Sequence, residues 1–452
     1  MDVDKQEMKL DVIGQYYSSI NTRKQSGVFA LSVYIKESLQ PEILQQAADD
    51  LMRRLPFMNG RLKYGFFHYK YEILKNFAKI VPYKEEHLFS DYYNKGSRHM
   101  IRIVYGEKHF TVKTTHSICD GRGLSKFTKA LLVRYYELLG MKVDKGDIID
   151  CNGAFDPEEA EDAPERFGKA FPKEEKETCT GDVNRILTGV ENKSYKGAKK
   201  TNKELEKTLN KEEKKPSKED KVFQIKYSRS SPRRILTKSF DASEIRKAAK
   251  EYQASVSEYL MAHILRAVEQ ERDRTGGKRR IIGDLPIDCR SFFPSKTLRS
   301  FVTAVDIVMP EEKNFALMVK QIKEQFKEIT KEKVQEQLCE YQEMYHATRF
   351  VPRAIKVLYM KRMTRFEARL ASTGLSNLGV MKLPAEIESR IERMAFPIAL
   401  EQDFPLFFSS VTVGNTLTLT GCFREEGRSI VEEVIDRLEN VRKCMEDEEE
   451  TT

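Results

Sequence analysis

The chain contains 452 residues, of which 33% are charged and 40% are hydrophobic, and it carries a formal net charge of +8. This length can bury a large core and predicts two domains or two halves of one domain. No apolar run approaches the roughly 18 residues that a membrane-spanning helix needs, and the start MDVDKQEMKLDV lacks the basic and apolar regions of a signal peptide. We therefore expect a cytoplasmic protein.

The cysteine and charge patterns predict neither a metal site nor a nucleic-acid partner. The seven cysteines are scattered and form no Cys-x-x-Cys pair, so no disulfide framework or zinc site is indicated. The 78 Lys and Arg residues are nearly matched by 70 Asp and Glu residues, without the aromatic and basic interleaving of RNA and DNA readers. The charge favours anionic ligands mildly, and coenzyme A, an acidic carrier protein or an anionic lipid headgroup would all qualify.

Strands and helices alternate in the first half of the chain. In the predicted helix at 40–56, Leu51 and Leu55 belong to an apolar stripe with helical spacing. Pro41 stands in the first turn of this helix, where proline is tolerated. The predicted elements are a strand at 27–36, a helix at 40–56, strands at 61–73 and 79–83, a hairpin around Gly106 and a helix at 121–139.

A charged segment separates this half from a second one. Residues 155–222 carry dense charge of both signs and few large apolar residues, which predicts a partly disordered linker with some helix. The second half again alternates, and Asp241 or Ser243 can cap its first helix. Its predicted elements are a strand near 233–240, helices at 241–252 and 256–273, strands at 279–290 and 301–310, a charged helical region at 313–345, a basic helix at 353–370, two terminal strands joined at Gly414-Asn415 and a closing helix from about 428.

His116 ends the second strand of the predicted hairpin, four residues before Asp120-Gly121. Alternation along that strand would point the imidazole inward. An Asp-Gly pair just before a helix is a good turn and N-cap signal. From these residues alone His116 is either a structural histidine or a catalyst, and the structural alternative is the more common one.

The stretch TTHSICDG (114–121) resembles the HxxxDG motif of the chloramphenicol-acetyltransferase-like superfamily. That superfamily includes plant acyltransferases, peptide-synthetase condensation domains, wax ester synthases and alcohol acetyltransferases. Three more segments are similar to family elements, namely RRLPFMNGRL (53–62), LPIDCRSFFPSKTLRSF (285–301) and SNLG (376–379). The resemblance covers most of the chain outside the charged linker, and it is closest to bacterial alcohol-acetyltransferase-like and condensation-domain-like proteins.

The resemblance implies an α/β fold of two chloramphenicol-acetyltransferase-like halves, each a mixed sheet with flanking helices, that form a substrate tunnel at their interface. The N-terminal half with the HxxxDG motif would span 1–154 and the C-terminal half 223–452. The crossover linker would span 155–222.

The resemblance also implies a reaction without a metal, a tightly bound cofactor or a covalent intermediate. His116 would act as general base on an alcohol or amine acceptor that attacks an acyl-CoA thioester. Asp120 would pair with Arg290 and fix the loop that presents His116, while Gly121 would let the chain turn tightly.

Ser376 and Asn377 are candidates for binding substrate or donating to the oxyanion of the tetrahedral intermediate. From the residues alone, a turn whose polar side chain satisfies the backbone is the alternative. Arg299 is either a phosphate contact or a surface charge, and the surface charge is favoured. Cys119 has no evident partner within the motif and is expected to be a packed small residue.

Three functional alternatives stay open at this stage. The donor is either acyl-CoA or a thioester on an acyl carrier protein, as in condensation domains. A catalytically inactive carrier-docking scaffold is the third alternative. The basic helix at 353–370 could approach a membrane, because Arg and Lys stand among Leu, Met and Phe, but ordinary packing explains it more simply and membrane contact is not expected.

Overall fold

The structure is a computed structural model that describes residues 7–21, 27–84, 99–169, 222–228, 230–367, 370–400 and 404–440. Most of the predicted linker, 170–221, and two of the seven cysteines, Cys179 and Cys444, lie outside the described residues. No helix in the described part of the chain is long and apolar enough to cross a bilayer.

The first half contributes short strands and three long helices. Its strands are β1 (Glu7–Lys9), β2 (Val28–Ile35), β3 (Gly60–Tyr64), β4 (Tyr69–Ile73), β5 (Val81–Pro82), β6 (Arg102–Tyr105) and β7 (His109–Thr115). Its helices are α1 (Val12–Ile20), α2 (Pro41–Arg54), α3 (Gly121–Leu138) and the short α4 (Ala163–Phe167). The predicted strand at 27–36, the helix at 40–56, the hairpin and the helix at 121–139 are confirmed.

The second half is longer and more helical. Its strands are β8 (Arg233–Asp241), β9 (Ile282–Asp288), β10 (Val302–Val308), β11 (Thr373–Val380), β12 (Ile391–Ala395), β13 (Leu406–Val413) and β14 (Thr416–Arg424). Its helices are α5 (Ala242–Glu251), α6 (Val256–Arg274), α7 (Phe315–Lys327), α8 (Lys331–Thr348), α9 (Arg353–Glu367), α10 (Ala385–Glu388) and α11 (Arg428–Glu439).

Three sheets organise these elements among the described residues. The five-stranded sheet has the order β12-β2-β7-β6-β5, the six-stranded sheet has the order β10-β9-β11-β13-β14-β8, and β1-β4-β3 form a third. Both larger sheets mix parallel and antiparallel pairs. Helices cover them, because apolar residues of α2 and α3 share one core with β2 and β7, and those of α6 and α11 share another with β11 and β13. The predicted α/β fold of two halves with mixed sheets and flanking helices is confirmed.

One strand of the second half pairs with the sheet of the first. β12 runs antiparallel to β2, with Ala395 opposite Ser32 and Met394 opposite Val33. Met394 and Phe396 are buried in the core that contains α2 and α3. No pattern in the sequence predicts this pairing, since both cores are apolar and either would accept the strand. This pairing joins the second half to the sheet whose strand β7 directly precedes the HxxxDG motif.

The structure differs from the composition-based expectation at 155–169. The charge of this segment predicts a solvated linker with some helix, and α4 is helical, but it packs on the second half. Ala163 and Phe167 lie in a small core with Phe293, Phe301 and Leu338. Two apolar residues among many charges are enough to bury a short helix on an existing surface.

The stretch 61–73, expected to be strand, is a hairpin. β3 and β4 pair antiparallel, with Tyr64 opposite Tyr69. The turn needs glycine at position 65, because a Cβ there would lie 2.4 Å from the carbonyl oxygen of His68. At the start of α5 the cap prediction is confirmed, since the carboxylate of Asp241 accepts hydrogen bonds from the backbone N–H of Ser243 and Glu244.

Candidate active site

A cavity of about 700 Å³ lies where the two halves meet. Its wall takes residues from α1, β2 and the end of β7 on one side, and from β9, β10, α8, α9 and β11 on the other. His116, Gly121, Ser376 and Asn377, four residues singled out from the sequence, all line it. The volume suits a substrate of the size of a drug or a coenzyme arm.

His116 follows β7 directly and is held between two aromatic rings. Its ring centroid lies 4.6 Å from that of Tyr17 on α1 and 4.4 Å from that of Phe29 on β2. The Nδ1 atom is buried and has no hydrogen-bond partner among the described residues. The side chain lines the cavity and is partly exposed, so Nε2 is the ring nitrogen that the cavity can reach.

Burial changes the charge state of His116. Loss of water around the ring lowers its pKa to about 4, and the nearby charge of Asp120 acts in the opposite direction without reversing the shift. The imidazole is therefore neutral at neutral pH. A neutral ring with an accessible nitrogen can accept a proton from a bound group, which is what a general base must do.

Asp120 anchors the loop that carries His116. The carboxylate is the N-cap of α3, and its Oδ1 accepts a 2.7 Å hydrogen bond from the N–H of Gly123. Its Oδ2 accepts 2.8 Å hydrogen bonds from Nη1 of Arg290 and from the N–H of Phe301. The side chain is fully buried and does not line the cavity. Asp120 therefore contacts the loop and its anchors and does not face the cavity.

Arg290 connects Asp120 to the segment between β9 and β10. Its Nε donates to the carbonyl of Thr297 over 3.1 Å, and its Nη2 donates to the carbonyl of Arg299 over 2.7 Å. Nη1 also contacts Asp288 at 2.8 Å. The pairing of Asp120 with Arg290 that the family resemblance implied is thus present as a direct contact between the halves.

Ser300 lies in the segment that Arg290 holds, and it contacts the loop that carries His116. Its Oγ donates a 2.8 Å hydrogen bond to the carbonyl oxygen of His116. The sequence assigned Ser300 no role, and no local pattern could reveal one. The partner is a backbone atom 184 residues away.

Arg299 is not the surface charge that the sequence favoured. It is 4% exposed, and its Nη2 lies 2.8 Å from Oδ2 of Asp11. Asp11 is itself the N-cap of α1, the helix that carries Tyr17. The expectation was wrong because the sequence does not show the distant carboxylate of Asp11 that pairs with Arg299. Arg290 and Arg299 therefore hold the caps of two helices that line the cavity.

Gly121 is needed for a different reason from the one expected. It is the first residue of α3, and its φ is not in the left-handed region, so no tight turn depends on it. A Cβ at this position would lie 2.7 Å from Cδ2 of Leu378 and 3.2 Å from Cζ of Phe396. Because Gly121 has no side chain, Leu378 and Phe396 of the second half can pack directly against the loop.

Ser376 and Asn377 adjoin the cavity in β11 but differ in their bonding. The Nδ2 of Asn377 donates to Oγ of Ser257 over 2.9 Å, and its Oδ1 accepts from the N–H of Gly379 over 2.8 Å. This matches the turn alternative for Asn377. Ser376 is partly exposed and has no side-chain hydrogen bond to any described residue, so its hydroxyl can serve a substrate.

A nucleophilic thiol has little support within the motif. Cys119 is fully buried, and burial raises the pKa of its thiol well above the usual value, which disfavours the thiolate that a nucleophile needs. No cluster of three or more His, Cys, Asp or Glu side chains able to hold a metal ion occurs within the described residues.

No family model and no curated protein matches the chain. Solved structures do match over nearly the whole length. A trichothecene 15-O-acetyltransferase from Fusarium sporotrichioides is similar with a TM-score of 0.59 and 13% identity, covering 95% of this chain and 94% of that one. The first condensation domain of the CDA synthetase gives a TM-score of 0.58 at 10% identity, covering 96% and 94%.

Polyketide synthase associated protein 5 from Mycobacterium tuberculosis is similar with a TM-score of 0.56 and 13% identity, covering 95% of this chain and 96% of that one. At these identities the likeness shows the fold. This chain therefore shares the fold of a condensation domain and of a trichothecene acetyltransferase.

Proposed function

We propose that the protein is an acyltransferase that moves an acyl group from the thioester of an acyl-CoA to an alcohol or amine acceptor, with His116 as general base. The observation that carries this proposal is the position of His116. Its neutral ring presents Nε2 to a cavity built by both halves. The HxxxDG motif and the acetyltransferase among the similar structures support the same reaction.

The reaction would proceed in one addition and one elimination. The acceptor O–H or N–H would donate its hydrogen bond to Nε2 of His116, and the acceptor atom would attack the thioester carbonyl carbon as the proton moves to Nε2. The tetrahedral intermediate would then break its C–S bond, and the proton on Nε2 would pass to the departing thiolate. General base catalysis of this kind contributes on the order of 10²- to 10⁴-fold to a rate.

The surroundings of His116 suit this proton transfer. Tyr17 and Phe29 stack on the two ring faces and fix the orientation of the imidazole at the cavity wall. The hydroxyl of Ser376 is the side-chain donor that we assign to the oxyanion of the intermediate. Asp120, Arg290 and Ser300 are positioning residues, because they contact the loop and its backbone.

A carrier-bound thioester is the alternative donor. Condensation domains, an epimerization domain and an X-domain from antibiotic biosynthesis are among the similar structures. A carrier and coenzyme A would present the same reactive thioester to the same histidine. The experiment therefore compares both kinds of thioester donor.

The test is thiol release from a panel of acyl-CoAs and acyl-loaded carrier proteins, each with mixed alcohols and amines. We expect release with the wild type and its loss in His116→Ala. His346→Ala is the matched control, because His346 is exposed on α8 outside the cavity wall. Equal release from the wild type and His116→Ala would remove His116 from the mechanism. Silence of the wild type with every donor would favour an inactive scaffold.

A further inference from the structure

Four aromatic side chains lie exposed where the β3–β4 hairpin meets the turn between α8 and α9. Their exposed fractions are 73% for Phe66, 71% for Phe350, 52% for Tyr64 and 39% for Phe67. The rings of Phe66 and Phe67 are 4.8 Å apart and those of Phe67 and Phe350 are 6.4 Å apart, between centroids. We call these four residues the aromatic patch.

The aromatic patch is fixed in place by the backbone beneath it. The N–H of Arg353, at the start of α9, donates to the carbonyl of Phe66 over 2.8 Å. The Nε of Arg353 donates to the carbonyl of Gly65 over 3.1 Å. The hairpin tip is thus held against α9 with its phenylalanines outward. An exposed apolar cluster of this kind on a folded surface marks an interaction site.

Basic side chains surround the aromatic patch. The guanidinium of Arg349 lies 4.8 Å from the ring centroid of Phe350, and that of Arg353 lies 4.7 Å from that of Tyr64. Lys356 follows one helical turn after Arg353, with its Nζ 3.2 Å from Nδ1 of His68. None of these three cations has a carboxylate within ion-pair distance in the described ranges of the chain.

The sequence around these cations is basic throughout. Between Glu343 and Glu367 there is no acidic residue, whereas Lys and Arg recur along α9. Partial burial lowers the pKa of Lys356 to about 8, because the ammonium loses hydration there. An anionic group beside Lys356 would stabilise the charged ammonium and so offset the hydration that burial removes.

The aromatic patch also adjoins the cavity. Phe67, Arg353 and Lys356 line a small crevice between the hairpin, α1 and α9. Val12, Tyr16, Met344 and Met360 line both this crevice and the main cavity. A ligand bound at the patch would therefore stand next to the wall of the proposed acyl-transfer site.

We propose that the aromatic patch and its three cations dock the protein on a phospholipid bilayer with anionic headgroups. The phenylalanines of the hairpin tip would enter the boundary between headgroups and acyl chains, and Arg349, Arg353 and Lys356 would bind lipid phosphates. Aromatic rings beside unpaired arginines have the composition of an interfacial anchor. A protein partner would need a pocket that fits the phenylalanine rings at the tip of the turn. A bilayer needs no such pocket, because its acyl chains adapt to the rings, and we therefore favour the bilayer.

The test is co-sedimentation of the full chain with phosphatidylcholine vesicles that contain or lack phosphatidylserine. We expect binding only with phosphatidylserine, and weaker binding at high salt because the Debye length shortens. Phe66→Ser together with Phe350→Ser, and separately Arg349→Glu, should each lower vesicle affinity about tenfold or more. Leu317→Ser and Lys320→Glu are the matched controls, since both residues are exposed on α7 and should leave binding unchanged.

Absence of vesicle binding by the wild type, or equal loss in the α7 controls, would overturn the proposal. Capture of an acidic acyl carrier protein that Arg349→Glu abolishes, without vesicle binding, would assign the surface to a protein and also overturn it. The inference goes beyond the proposed function and does not depend on it. Co-sedimentation measures vesicle binding and does not require acyl transfer. A negative vesicle result therefore leaves the proposed acyltransferase activity untouched, and a negative activity result leaves the proposed membrane docking untouched.

Discussion

Asp120 and Arg290, separated by 170 positions in the sequence, form a 2.8 Å ion pair across the junction of the two halves. Their side chains are 0% and 7% exposed. The same carboxylate caps α3 and accepts from the backbone of Phe301. The second half therefore helps to set the position of the loop that carries His116.

Removal of Arg290 should destabilise the protein strongly. Arg290→Ala leaves the buried carboxylate of Asp120 without its cation, and a broken buried pair costs about 3–5 kcal/mol in the free energy of unfolding. Urea unfolding measures the change. Lys327→Ala is the control, because its pair with Glu324 is exposed to solvent and such pairs contribute little to stability. Equal small losses in both variants would show that Arg290 does not stabilise the fold.

The rate of acyl transfer should depend on pH in a way that reports the environment of His116. A general base must be unprotonated, and the ring has a pKa of about 4 because it is buried. We expect kcat/KM to stay level from about pH 8 down to pH 5 and to fall only as the pH approaches 4. A decline centred near the ordinary histidine value of about 6.5 would contradict this environment.

Tyr17→Ala tests whether burial is the cause of the lowered pKa. Loss of the ring that stacks on His116 would admit water to one face of the imidazole. The acidic decline of kcat/KM should then move upward, toward about 6.5. An unchanged pH profile with this variant would mean that something other than the aromatic cover sets the charge state of His116.

Local patterns in the sequence predicted much of the fold and the centre of the site. Apolar periodicity located α2 and α3, and the Asp-Gly pair before α3 marked the cap at Asp120. Alternation along the predicted hairpin placed His116 at the end of a strand, and the structure has it directly after β7. These features depend on neighbours within a few residues, so a sequence shows them directly.

Features made by distant partners could not be predicted. Arg299 is buried only because Asp11 lies at the start of α1, and Ser300 matters because the carbonyl of His116 lies beside it. β12 joins the first sheet through backbone hydrogen bonds, which carry no side-chain signature. Gly121 was recognised, but the approach of Leu378 that requires it comes from the other half.

Gly123→Ala should damage the junction between the halves more than its size suggests. A Cβ at position 123 would lie 2.0 Å from the carbonyl oxygen of Leu298, a backbone atom that cannot rotate away. We expect a loss of about 2 kcal/mol or more in the free energy of unfolding, because the 297–301 segment must move. Thermal and urea unfolding measure it.

Gly427→Ala is the matched control for this prediction. The nearest atom to a Cβ at Gly427 is 3.5 Å away, an ordinary contact, and its φ of −93° suits alanine. Its stability should change by about 0.5 kcal/mol or less. If Gly123→Ala proved as mild as Gly427→Ala, the close approach of Leu298 to α3 would not exist in solution.

Ser376 and Asn377 should separate into one residue that affects the rate and one that affects stability. The hydroxyl of Ser376 adjoins the cavity and bonds no described side chain, so Ser376→Ala should leave unfolding unchanged while kcat falls on the order of 100-fold, as for a lost oxyanion donor. The amide of Asn377 is already bonded to Ser257 and Gly379. Asn377→Ala should therefore lower the free energy of unfolding by about 1–2 kcal/mol.

Steady-state kinetics and urea unfolding on the same two variants decide the assignment. A kcat that survives Ser376→Ala would move the oxyanion donor elsewhere, to a backbone N–H of the cavity wall. A large fall of kcat in Asn377→Ala with unchanged stability would mean that substrate displaces the bond from Ser257 and recruits the amide. Because the two side chains are adjacent on one strand, opposite outcomes would show that bonding, and not mere proximity to the cavity, determines which one acts.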